Sequence, residues 1–110
     1  MKSKIYSPSF IQTQIDTLTI DQLNLLFQVF EQLNIQFNFF MPETKYQEFI
    51  DFSYNQTFSK NSTNTYKSLI KLLTTSYTHP SKYPHVIKSI NLIKNNYSLK
   101  DIINIIYFNK

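Results

Sequence analysis

Ile35-Gln36-Phe37-Asn38-Phe39-Phe40-Met41-Pro42 is the stretch on which the fold turns. Ile35, Phe37 and Phe39 alternate with Gln36 and Asn38, the two-residue period of a strand with one apolar face, and Pro42 stops it. Upstream, Thr19 stands three residues before Gln22 in a capping-box spacing. It opens a helix whose Ile20, Leu23, Leu26, Phe27, Phe30 and Leu33 fall on one stripe. Before that helix, Lys4-Ile5-Tyr6 reads as a short strand ended by Ser7-Pro8-Ser9, because proline biases its predecessor toward extended backbone.

Downstream of Pro42 the chain turns polar. A short alternating piece near Phe49 to Tyr54 and the cluster Ser59-Lys60-Asn61-Ser62-Thr63-Asn64 lie between strands, so residues 43–65 read as an extended hairpin arm. Tyr66 to Leu73 forms its returning strand, and Thr78-His79-Pro80-Ser81 forms a turn. Pro84 then leads a helix of Val86, Ile87, Ile90 and Ile93 that ends at Asn95-Asn96. Ile102 to Phe108, rich in β-branched and aromatic residues, reads as a closing strand. Strand, helix, strand, strand, helix, strand is the α+β, ferredoxin-like split βαβ plan (βαββαβ): a four-stranded antiparallel sheet with two helices on one face. The 110 residues make a single domain, 1–110, with the arm inside it.

Charge divides the chain unevenly. Between Phe52 and Lys100 there are seven lysines (Lys60, Lys67, Lys71, Lys82, Lys88, Lys94 and Lys100) and no acidic residue. Residues 1–43 balance Lys2 and Lys4 against Asp16, Asp21, Glu31 and Glu43. A one-sign field of this extent favours a polyanionic partner. Gly, Ala, Arg, Cys and Trp are all absent, which points to an AT-rich genome of the organellar kind. Residues 1–10 show neither a secretory signal nor an Arg-rich presequence. No apolar run approaches the roughly 20 residues of a membrane span.

Catalytic constellations are hard to find. Without cysteine, His79 and His85 would need Asp51 and Asp101 to complete a metal site, and their spacing fits no zinc pattern. Glu48 and Asp51 lie in the polar arm, where nothing would raise a carboxylate pKa. The chain has no arginine or glycine-rich loop for phosphoryl transfer. The sequence therefore reads as a non-enzyme with no cofactor, no metal and no small-molecule substrate. Binding falls to the lysines and to the aromatics among them. Lys45, Lys60, Lys67 and Lys71 are the expected phosphate contacts, with Lys82 behind them, while Tyr46, Tyr54 and Phe58 would meet neighbouring proteins.

Pro42, Thr44 and Lys45, then Phe49, then Lys60 and Ser62, then Tyr66 stand in an order that resembles the universal small-subunit ribosomal protein number ten family. The likeness extends to the helix before this segment and to the proline-led helix after it. It implies a structural constituent of the small-subunit head, with a ferredoxin-like body and a hairpin reaching among ribosomal RNA and neighbouring ribosomal proteins. Together with the composition, it implies a mitochondrial, organelle-encoded version acting in translation on the mitochondrial ribosome. The competing expectation is an accessory protein-interaction subunit of an organellar respiratory membrane complex.

Overall fold

The computed structural model describes residues 6–55 and 63–109, and they fold into helices throughout. In chain order these are α1 (Pro8–Asp16), α2 (Ile20–Phe37), α3 (Glu43–Asn55), α4 (Thr63–Leu72), α5 (Tyr83–Lys94) and α6 (Leu99–Ile103). Wider π-type turns, Leu73–Tyr77 and Asn104–Phe108, continue α4 and α6, and a 3₁₀ turn, Pro80–Lys82, leads into α5.

The expected ferredoxin-like sheet is corrected: among the described residues there is no strand. The alternation at Ile35, Phe37 and Phe39 misleads because the stripe of α2 runs straight through it. Leu23, Leu26, Phe30, Leu33 and Asn34 are buried at helical spacing and Phe37 is the next on that face, whereas Ile35 points outward and is 68% exposed. The 43–65 hairpin arm is corrected in the same way where it is described, its residues 56–62 lying outside the described residues. Glu43–Asn55 is helix with Tyr46 and Phe49 buried, and the apolar stripe of α4 is Tyr66, Leu69, Ile70 and then Leu73. The closing strand at Ile102 to Phe108 is α6 and its π-type turn, which bury Ile102 and Ile106. The strand expected at Lys4 to Tyr6 falls mostly outside the described residues.

Three of the helix starts are capped by a side chain. The Ser7 hydroxyl caps α1 by accepting the Phe10 N–H, with Pro8 in the first turn, where a missing N–H does no harm. Thr19 and Gln22 close a reciprocal capping box: Gln22 N–H donates to Thr19 Oγ1 at 3.2 Å, and Thr19 N–H donates to Gln22 Oε1 at 2.9 Å. Ser98 caps α6 through the Asp101 N–H. Stops are made by asparagine. Asn38, Asn96 and Asn109 all have positive φ (50°, 66° and 57°), the left-handed conformation that glycine would adopt in a chain that had any.

At the end of α2 a buried polar joint fixes the chain's exit. Asn34, 2% exposed, donates from Nδ2 to Met41 O and accepts the Phe40 N–H at Oδ1, both at 2.9 Å. Residues 38–42 are thereby folded back so that Phe40 and Met41 enter the core while Phe39 stays at the edge. Thr74, Thr75 and Thr78 serve the first π-type turn similarly, donating to Ile70, Lys71 and Leu73 carbonyls at 2.7–2.9 Å. One apolar cluster unites the helices around α2, which packs against α3, α4, α5 and α6. On the outside, Lys71 Nζ pairs with Asp16 Oδ1 at 2.7 Å and Lys67 Nζ donates to the Asp16 carbonyl at 3.1 Å, tying α4 to the negative end of α1.

Candidate nucleic-acid interface

Folding back at residues 38–42 places Phe39 beside two other elements, and an aromatic rim results. Phe37, on the last turn of α2, stacks on Tyr107 at 3.9 Å between centroids with ring planes 12° apart. Tyr107 meets Phe39 and Phe108 edge-on, at 5.6 and 5.1 Å. Tyr107 and Phe108 are 38% and 48% exposed, so this cluster is open on its outer side.

Cations border the rings. Lys82, from the turn before α5, holds its ammonium 4.0 Å above the centre of the Phe39 ring. His85, on the first turn of α5, meets the same ring edge-on at 5.1 Å. Its pKa lies below the usual histidine value, first because the imidazole is partly buried and then because Lys82 and Lys88 repel a third positive charge. Rings that accept stacking, edged by Lys82, Lys88 and a titratable imidazole, are what unpaired bases and their phosphates require.

The residues expected to bind RNA are not brought together. Lys82 lies on this rim. Lys67 and Lys71 are engaged with Asp16 on another part of the surface. Lys45 is exposed on α3 among Glu43, Glu48 and Asp51, a helix more acidic than basic. Of the residues expected to meet proteins, Tyr46 is buried in the core, with its hydroxyl lacking a hydrogen-bond partner among the described residues, while Tyr54 is 84% exposed near the end of α3. Lys60 and Phe58 lie outside the described residues.

Sequence reading does not single out Phe37, Phe39, His85, Tyr107 and Phe108, because it assigns the four rings of Phe37, Phe39, Tyr107 and Phe108 to strands and His85 to a helix start. A signal is nevertheless present: Asn38 directly follows Phe37 and Asn109 directly follows Tyr107-Phe108, and asparagine is the residue besides glycine that tolerates the left-handed conformation in which these segments end.

Among the described residues no three His, Cys, Asp or Glu side chains are grouped to hold a metal, and no helix is long and apolar enough to cross a membrane. No protein family, no curated protein and no solved structure matches this chain.

Proposed function

We propose that this protein is a non-catalytic RNA-binding component of a ribonucleoprotein assembly, and that the small ribosomal subunit is that assembly. The observation that carries the reading is the Lys82 ammonium resting 4.0 Å over Phe39, beside the open Phe37–Tyr107 stack. In this mechanism one or two unpaired bases stack on the outer faces of Tyr107 and Phe108. Lys82 moves from the ring to a phosphate, and Lys88 neutralises the next one. The acid-free stretch from Phe52 to Lys100, which includes all of α4 and α5, supports it by keeping carboxylates off those helices. With no arginine in the chain, contact is to backbone phosphate and base faces rather than to base edges.

Fluorescence anisotropy with a labelled single-stranded RNA tests the proposal. Affinity should fall steeply as KCl is raised. Tyr107→Ala should weaken it by about 1–3 kcal/mol, the usual worth of a stacked base. Lys82→Gln should reduce the salt slope by about one phosphate. Salt-independent binding, or none at low salt, removes the reading. In cells the tagged protein should sediment with small ribosomal subunits; sedimentation with a detergent-solubilised respiratory complex instead would favour a protein partner.

A further inference from the structure

A second aromatic hollow, on the opposite side of the charge balance, lies between α2, α3 and α4. It encloses about 220 Å³ and is lined by the rings of Phe27, Phe49, Tyr54 and Tyr66 and by three aliphatic side chains of α3 and α4, with Glu31 and Ser53 as its polar members. Phe27 and Tyr66 are inclined at 60° with centroids 6.5 Å apart, so their planes form two walls of a corner rather than a stack. Glu31 has no cationic partner among the described residues, where Asp16 with Lys71 is the single ion pair. Its charge is nevertheless felt inside the protein: together with burial, which contributes more, it pushes the Tyr46 and Tyr66 phenols up to about 12.

We propose that this hollow binds a methylated ammonium group, its charge held by Glu31 and its methyl carbons by the aromatic rings. Aromatic walls attract a cation through their negative faces, and a carboxylate beside them adds charge complementarity. An inorganic divalent ion is a poor fit, since it needs about six oxygen ligands and the hollow offers one carboxylate and one serine hydroxyl. An unmethylated ammonium carries three N–H donors that this carbon-rich lining would leave largely unsatisfied. Size agrees as well. Pockets for drug-sized ligands run to roughly 300–1,000 Å³, and this one is on the scale of a head group. The site is independent of the RNA rim, because it shares no residue with it.

NMR titration of the full chain with choline, and with its neutral carbon isostere 3,3-dimethylbutan-1-ol, separates charge recognition from simple apolar filling. Choline should bind about tenfold more tightly and move the ring resonances of Phe27, Phe49 and Tyr66. Glu31→Gln should erase the difference between the two probes. A peptide bearing trimethyllysine, compared with choline, identifies the source: tighter binding of the peptide marks a polypeptide ligand, tighter binding of choline a small molecule, and either supports the site. Equal affinity for choline and the isostere in the unaltered protein would overturn the proposal. So would shifts confined to the Phe39 and Tyr107 rim, a readout that needs no variant to fold.

Discussion

Two ring stacks in this molecule are nearly superposable in geometry and opposite in consequence. Phe30 and Phe40 lie 3.9 Å apart at 14°, and Phe37 and Tyr107 lie 3.9 Å apart at 12°. The first pair is 0% and 1% exposed, in the middle of the core, while Tyr107 of the second is 38% exposed. Stacking itself contributes only about 0.5–1.5 kcal/mol, so what separates the pairs is the area that each hides from water. A stack wrapped on all sides is structure; a stack open on one side is a surface waiting for another ring. The largest expected effect follows from that difference. Phe40→Ala should cost about 3–5 kcal/mol in urea denaturation, because it leaves a cavity beside Phe30 while the backbone bonds to Asn34 stay in place. A cost below about 1 kcal/mol would erase the distinction between core and rim.

The core also contains phenols, and pH can challenge it without a mutation. Tyr46 and Tyr66 have folded-state pKa values of about 12 against an ordinary 10.0, burial being the main cause and Glu31 the second. A raised folded value means that the folded state holds its proton longer than the unfolded chain. Stability is therefore intact below pH 10 and is lost as pH rises from 10 toward 12. Two pKa units correspond to about 2–3 kcal/mol for each phenol. Circular dichroism followed with absorbance near 295 nm should show unfolding and ionisation together across that window. Tyr46→Phe should blunt the effect and, by removing a hydroxyl that has no partner among the described residues, should leave the protein no less stable at neutral pH.

How much of this was legible in the sequence depends on which residues did the punctuating. The α2 helix was readable because the Thr19/Gln22 box and the Leu23 to Leu33 stripe agree. The α5 helix was readable because Pro84 and the Val86 to Ile93 spacing agree. Helices α3 and α4 were not, since a chain without alanine or glycine lacks both the strongest helix former and the usual stop. Their polar faces, Gln47, Glu48 and Asp51 or Asn64, Lys67 and Ser68, outnumbered the few buried rings and passed for an arm. The three left-handed asparagines carried the missing punctuation, and only Asn96 stood in a pair that was read as a cap. Of the rim, charge alone points to Lys82. The rings around it were hidden because Phe37 and Phe39 also satisfy a period of two, and three residues of alternation cannot outweigh a helix already four turns long.

The rim should yield a smaller effect on stability than either core perturbation. Tyr107→Ala removes one partner of the open stack and should cost about 1–2 kcal/mol in denaturation, less than Phe40→Ala because Tyr107 is 38% exposed and hides less area from water. Set beside Phe40→Ala, it measures directly how far burial rather than ring geometry governs the energy. A loss as large as that for Phe40 would mean that Tyr107 is part of the core in solution.

The smallest effect is on the acid side and belongs to His85. Its folded pKa is lowered by partial burial and by Lys82 and Lys88, so below the ordinary value of 6.5 the unfolded chain takes up a proton that the folded protein resists. Stability should therefore decline as pH falls below 6.5, and His85→Gln should flatten that decline. Phosphates reverse the electrostatics. An RNA strand along Lys82 and Lys88 would offset their repulsion of the imidazolium, so RNA affinity should rise, by under about threefold, over the same pH range in which the free protein weakens. A protein partner seated on the rim would bury His85 further and shift both trends the same way. Opposite slopes for stability and affinity thus mark the open stack as a phosphate-facing surface, and parallel slopes would assign it to another polypeptide.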